Sequence, residues 1–321
     1  MRILLTGSNG QLGRALRASV PEMLTGESVE LIATARQAEP SQGVLRLDLT
    51  DPNACRAAVV EHQPDWVLNA GAYTAVDRAE TEVELAQAVN AGAPKAFAEA
   101  MARISNCSRL LQLSTDFVFS GKQGHPYQPQ DPPNPLSNYG ASKAAGEQAV
   151  DEVLGAGPHG RAVILRSGWV YGPIGQNFFL TMLLMHHQKS AMGVPLRVVA
   201  DQVGCPTNTA GLARACWASI DLHATGILHW SDAGVASWYD FAMAIGELGV
   251  QLGVLEKAAK MEPICTSDYP TPARRPRYSL LDCRDTRAQL NLAPRHWRNA
   301  LNDTFLDNND GLLQLIQAAK A

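Results

Sequence analysis

The stretch "RILLTGSNGQLG", Arg2 to Gly13, runs an apolar segment straight into three glycines. Ile3 to Leu5 has the unbroken apolar character of a buried parallel strand. Gln11 to Ser19 reads as a helix. Between them, Gly7, Gly10 and Gly13 stand at G-x-x-G-x-x-G spacing. Without a Cβ, backbone N–H groups can approach a pyrophosphate, and a helix N-terminus favours its negative charge. A tightly packed strand-to-helix turn uses the same glycines, so the triplet alone leaves both readings open. Its setting, after a strand and before a helix, favours a dinucleotide. Gly7, Asn9, Gly10, Gln11, Leu12 and Gly13 are then the cradle.

Outward from this loop the chain alternates. Val29–Arg36 and Val44–Leu49 read as the second and third strands. Asp51–His62 reads as a helix with Pro52 at its first position. Asp65–Ala72 holds a fourth strand and its loop, and Val83–Arg103 reads as one alanine-rich helix. Arg109–Thr115 is a fifth strand, Asn138–Leu154 a helix and Arg161–Ser167 a sixth strand. This order predicts an α/β fold with a doubly wound parallel sheet. Gly121–Asn138 carries five prolines, which exclude a helix or central strand and predict a long loop beside a site. After about residue 170 the alternation weakens and proline and tryptophan become frequent. The expected division is 1–168 for the dinucleotide-binding part, with parts of 205–240 returning to it. Residues 169–321 then form mainly a smaller, interwoven α/β substrate-binding part.

The chain has 321 residues, 46% hydrophobic and 18% charged, with a net charge of −4. That balance suits a soluble enzyme and gives no reason to expect a nucleic-acid or membrane partner. No run approaches the roughly 20 apolar residues of a membrane helix. The apolar run at the start is far too short for a signal segment. Six scattered cysteines with no C-x-x-C pair read as free thiols in a reducing compartment. A cytoplasmic protein with no metal site is expected. His186 and His187, being adjacent, point about 100° apart on a helix and read as surface or packing residues.

Arg36 ends the second strand, where an adenosine ribose arrives. An acid there would bond the 2′-hydroxyl of NAD, whereas an arginine can hold a 2′-phosphate. NADPH is therefore the expected cofactor, with NADH possible. Asp48 and Leu49 are placed to meet the adenine, although Asp48 could equally cap the helix that begins near Pro52. Ala70, Gly71 and Ala72 follow the fourth strand and complete the expected cofactor site.

"NYGASKAAGEQ", Asn138 to Gln148, places Tyr139 and Lys143 on one helical face. A nearby cation favours phenolate, which would make Tyr139 a better acid–base group near neutral pH. Thr115, ending the fifth strand, is a hydroxyl able to bond a reacting carbonyl oxygen. Tyr-x-x-x-Lys also arises by chance in many helices.

The glycine triplet, "NAGA", "ST" and "YGASK" together resemble the extended short-chain dehydrogenase/reductases, which are Rossmann-like. The match narrows with "NAGAYTAVDRAE", "LSTDFVFSG", "RSGWVYG", "NFFLTML", "ADQVGCPT", "LHWSDAGVASWYDFA" and "YPTPARRPRYSLL". From Met1 to about Trp297 the chain resembles the dTDP-4-dehydrorhamnose reductase family. That resemblance implies a catalytic Thr115, Tyr139 and Lys143. Tyr139 would protonate O4 of a dTDP-4-keto-6-deoxyhexose as hydride arrives from NADPH, and Lys143 would also bond the ribose. The reaction would be the last step of dTDP-rhamnose synthesis. Asp116, Phe117, Trp169 and Asn177 would lie near the sugar. Asp116 could instead cap a strand end, and Trp169 could be core packing. Arg274, Arg275 and Arg277 form a candidate clamp for the substrate pyrophosphate, with Arg274 the first choice.

Dehydratases that share the fold carry Thr-Asp-Glu; Phe117 cannot move a proton, which argues against elimination. Other 4-ketoreductases, 4-epimerases and a noncatalytic NADP-binding regulatory subunit are the alternatives. Family members that dimerise through magnesium use glutamates where this chain has Ala15 and, near "PTNTAGLA", Gly211. A monomer or weak homodimer without bridging magnesium is expected.

Overall fold

The computed structural model describes residues 1–104 and 107–319. Six strands of the main sheet come early in the chain: β1 (Arg2–Thr6), β2 (Glu30–Ala35), β3 (Val44–Arg46), β4 (Trp66–Asn69), β5 (Arg109–Thr115) and β6 (Ala162–Ser167). After β7 (Leu196–Val199), a seventh sheet strand, β8 (Gly226–Trp230), pairs with β6 from Gly226↔Val163 to Trp230↔Ser167. The sheet order is β8-β6-β5-β4-β1-β2-β3, parallel throughout. This is the Rossmann-like, doubly wound arrangement. Its order reverses between β1 and β4, where such sheets open a crevice beyond their strand ends.

Helices cover both faces. α1 (Gln11–Ala18) and α6 (Thr209–Asp221) pack together on one face, over a core that includes Leu5, Leu16, Leu212 and Ile220. α2 (Pro52–His62), α3 (Ala93–Ile104) and α4 (Asn138–Leu154) cover the other, over Leu4, Val59, Phe97 and Val150. The strands are apolar on both faces because both are buried.

The segment expected to be one helix from Val83 to Arg103 is interrupted. A helix over Val83–Gln87 passes through a wide turn over Ala88–Gly92 before α3. Pro94 has no N–H to give the Asn90 carbonyl, so the regular ladder cannot continue there. The widened turn lets the Asn90 side chain accept from Tyr73 N at 2.9 Å and donate to Ser142 Oγ at 3.0 Å.

A second core lies among α5 (Phe178–Met192), α7 (Trp238–Gln251), α8 (Trp297–Asp307) and α9 (Asn309–Ala318). Phe179, Phe241, Phe305 and Tyr171 fill it. β7 pairs in parallel with β9 (Met261–Ile264) as a separate ribbon beside α7. His186 packs in this part: it is buried, its Nε2 bonds the Ala242 carbonyl at 2.9 Å and its Nδ1 accepts from Ala259 N. The proline-rich loop docks on the C-terminal segment, with Tyr127 N donating to Leu280 O at 2.8 Å. It does not line the cavity described next.

Candidate active site

A cavity of about 1390 Å³ runs across the strand ends, from the glycine loop to the β7 ribbon. At its first end, Gly7 adopts φ +67°, and a Cβ there would stand 2.6 Å from Gly71 Cα. Only glycine permits this backbone-to-backbone contact between the β1 and β4 loops. Gly10 caps α1 without a side chain, and no acid stands in the first turn. The helix end therefore stays electrically suited to an anion. Asn9 donates to Glu39 at 2.8 Å, while its Oδ1 is buried with no partner among the described residues. A glycine cradle with an unanswered acceptor fits a nicotinamide dinucleotide.

All residues expected at the cofactor end line the cavity: Gly7, Asn9, Gly10, Gln11, Leu12 and Gly13, then Arg36, Asp48 and Leu49, then Ala70, Gly71 and Ala72. Asp48 does not cap α2. Asp51 does, accepting from Asn53 N and Ala54 N. The Asp48 carboxylate instead accepts from Thr50 N at 3.0 Å and Thr50 Oγ1 at 2.8 Å, which holds its pKa below the usual value.

Thr115, Tyr139 and Lys143 come together on the same cavity wall, all buried. Ser137 caps α4 through Gly140 N at 3.2 Å, which starts the helix just before Tyr139. Burial pushes the phenol up to about 12; a hydrogen bond with Thr115 opposes this, and the nearby Asp116 charge adds to it. Lys143 Nζ donates to the Leu113 carbonyl at 2.6 Å. Burial pulls its pKa down to about 8, against the attraction of Glu147. The spacing predicts a lowered phenol pKa; burial raises it instead. The lysine is turned to a backbone carbonyl, and desolvation dominates both groups.

Asp116, Phe117 and Trp169 also line the cavity. Asp116 is pushed up to about 6 by burial, opposed by hydrogen bonds from Ser279 and Thr115. Gly168 is what admits this carboxylate: a Cβ there would lie 2.4 Å from Asp116 Cγ. Phe117 meets Tyr139 edge to face at 5.8 Å. Trp169, at φ +53°, stacks on Trp238 with centroids 3.5 Å apart. It is thus both packed and cavity-facing.

Asn177 and Arg274 lie outside the lining. Asn177 is the N-cap of α5, accepting from Leu180 N at 3.0 Å and donating to Gly172 O at 2.9 Å. Its amide is occupied in joining segments, including Gln11 at the start of α1 at 3.3 Å. Arg274 is exposed. Of the three clamp candidates, Arg275 alone lines the cavity, and it forms a two-point ion pair with Asp77 at 3.0 and 2.8 Å.

Glu147 was not singled out by the sequence reading, although its signal was present. It follows Tyr139 and Lys143 at the same spacing of four, so it shares their face. It is buried, pairs with Arg166 at 2.7 Å and accepts from Ser114 Oγ. Arg166 also lies 5.0 Å from the Phe119 ring centroid. Trp238 and Gln202, joined by a 3.1 Å hydrogen bond, are further wall residues that motif reading passed over.

A family model described as the RmlD substrate binding domain matches residues 1–309. A dTDP-4-dehydrorhamnose reductase from Aggregatibacter actinomycetemcomitans is 35% identical, over 94% of this chain and 97% of its own length. This chain belongs to the dTDP-4-dehydrorhamnose reductase family. A family-like protein from Streptomyces antibioticus, named a probable dTDP-4,6-dihydroxy-2-methyloxan-3-one 4-ketoreductase, is 39% identical over 96% and 95% of the two chains. The Bacillus anthracis dTDP-4-dehydrorhamnose reductase, solved in complex with NADP, superposes with a TM-score of 0.80 at 30% identity. That likeness covers 95% of this chain and 99% of the solved one. No helix among the described residues of this family member is long and apolar enough to cross a membrane.

Proposed function

We propose that this chain reduces the C4 ketone of dTDP-4-dehydro-L-rhamnose to dTDP-L-rhamnose with NADPH. One observation carries the reading. Thr115, Tyr139 and Lys143 converge, buried, on a cavity whose other end is the glycine cradle. Gly7, Gly10 and Gly13 with the Ala70–Ala72 loop hold the dinucleotide, and Arg36 takes the 2′-phosphate. The reduced nicotinamide supplies a hydride to C4 when bound.

The protein's own part is proton chemistry and positioning. With its pKa pushed up to about 12, Tyr139 stays a neutral phenol at physiological pH and has a proton to give. It donates that proton to O4 as the alkoxide develops. The Thr115 hydroxyl bonds the same oxygen and sets its direction. Lys143 carries the positive charge that balances the phenolate left behind, and it bonds the ribose. Phe117 offers no proton acceptor beside Tyr139, so elimination of water lacks its second group.

The test follows NADPH oxidation with the 4-keto sugar nucleotide. Turnover supports the reading. A folded protein that binds NADPH without turnover overturns it and returns the noncatalytic alternative. A second reading, reduction of another dTDP-linked 4-ketosugar, is favoured by the 39% identity to the Streptomyces antibioticus protein. Relative kcat/KM for the two ketosugars decides between them.

We also propose that no magnesium bridges a dimer. Ala15 is packed against the core and Gly211 is buried, so neither position has a carboxylate to offer. Sedimentation with and without chelator tests this, and a chelator-sensitive dimer refutes it.

A further inference from the structure

We infer that Gln11 is a positioning residue whose side chain couples the cofactor cradle to the opposite wall of the cavity. The inference rests on the proposed reductase function only for the identity of the second ligand. Gln11 is the first residue of α1 and lines the cavity beside Gly10. A pyrophosphate at such a helix end is held by main-chain N–H groups, which leaves this side chain for another task. Its Nε2 donates to the Val170 carbonyl at 3.2 Å, and its Oε1 accepts from Asn177 Nδ2 at 3.3 Å. These partners are 159 and 166 residues away in the chain. A carbonyl oxygen can only accept, so Val170 fixes which end of the amide faces it.

Val170 and Asn177 bracket one segment. Trp169, next to Val170, and Phe178, next to Asn177, both line the cavity. Between them the chain folds around the Asn177 amide, which also donates to the carbonyls of Gly172 at 2.9 Å and Ile174 at 3.2 Å. Gly175, at φ +81°, brings this loop against Gln11: a Cβ on it would lie 3.5 Å from Gln11 Cβ. Asn177 Oδ1 accepts from Leu180 N at 3.0 Å and so starts α5. α5 then turns Phe178, Thr181, Met182 and Met185 to the cavity, the spacing of one helical face.

One glutamine thus joins two elements with different tasks. α1 offers its N–H groups to the cofactor, while the 169–178 segment and α5 form the facing wall. The other hydrogen bonds of the Asn177 side chain stay within 172–180, so Gln11 is its link to the cradle. An anion on the N-terminus of α1 fixes Gln11, and Gln11 fixes both ends of the wall segment. A ligand that binds second then has less of the wall to order. Coupling of this kind is reciprocal, so each ligand tightens the other.

Amide hydrogen exchange over residues 170–182, with and without NADP+, in the wild type, Q11M and N177D tests the assignment. N177D keeps the acceptor for Leu180 N, and so the cap, but has no N–H to give Gln11. Saturating NADP+ should slow exchange roughly fivefold or more in the wild type and by less than about twofold in either variant. The readout is the response to NADP+, which a loop merely loosened by substitution does not set. The double variant should respond as each single one does, because the two side chains act through one contact. Equal slowing in the wild type and the variants overturns the inference, as does a wild-type wall that ignores NADP+. Calorimetric binding of thymidine diphosphate reads the same coupling from the other end. Its affinity should rise roughly fivefold with NADP+ in the wild type alone, and an affinity indifferent to NADP+ overturns the inference. A wild type that shows both effects but reduces no ketosugar keeps this assignment and loses the reductase reading. A wild type that reduces the ketosugar while Q11M keeps the full exchange response loses this assignment alone.

Discussion

The ammonium of Lys143 donates to the main-chain carbonyl of Leu113 across 2.6 Å, fastening α4 to the strand that presents Thr115 two residues later. Burial brings the pKa of this lysine down to about 8. The charged form is present below that value and is lost above it. If turnover needs the cation, kcat/KM should fall as pH rises through about 8. Lys143→Met should remove this alkaline limb and lower both turnover and NADPH affinity. A pH–rate profile of the two proteins checks this, and an unchanged limb in the variant counts against the role.

Glu147 acts on Lys143 from one turn further along α4, and its charge raises the lysine pKa. Glu147→Gln should therefore move the alkaline limb to lower pH. The same change leaves Arg166, 1% exposed, without its counter-charge. Losing one partner of a buried pair costs about 3–5 kcal/mol. Urea denaturation should report that loss. A variant as stable as the wild type would show that the pair is solvated.

Tyr139→Phe removes the proton donor and leaves the ring against Phe117. Turnover should drop by roughly 10²- to 10⁴-fold, the range for a positioned general acid. NADPH binding, measured by fluorescence quenching, should hold. Near-normal turnover would take Tyr139 out of the mechanism.

Gly168→Ala puts a methyl group 2.4–2.6 Å from the three carboxyl atoms of Asp116. Asp116 has little room to retreat, because it is buried and hydrogen-bonded to Thr115 at 3.2 Å. We expect a cost of about 1–3 kcal/mol, as for overpacking elsewhere, together with a raised KM for the sugar nucleotide. Thermal melting and steady-state kinetics measure the two parts. A variant unchanged in both would show that the loop yields freely.

Arg36→Ala should weaken NADPH far more than NADH, since only the former carries a 2′-phosphate for the guanidinium. Dissociation constants for both cofactors give the ratio. An equal loss for the two would place the 2′-phosphate elsewhere.

Much of the frame was legible because it is local. The apolar runs of β1, β4 and β5 and the glycine triplet are signals within a few residues of each other. Tyr139 and Lys143 are a helical spacing apart. The exceptions had physical causes. Pro94 broke a helix whose composition reads as continuous, because one missing N–H outweighs the favourable propensity of its alanines. Asp51 took the cap that Asp48 could have supplied, because it stands immediately before Pro52.

By itself, the sequence determined the alternating architecture, the glycine triplet at its first strand-to-helix turn and the helical spacing of Tyr139 and Lys143. Only the tertiary structure decided how the charges are committed. Arg275 and Asp77 are 198 residues apart in the chain, and their ion pair occupies one arginine of the candidate clamp. Asn177 caps a helix, and Lys143 donates to the Leu113 carbonyl. Spacing tells which side chains can share a face. Whether a cation is free to meet a ligand depends on partners and desolvation supplied by distant segments, and these exist only once the chain has folded.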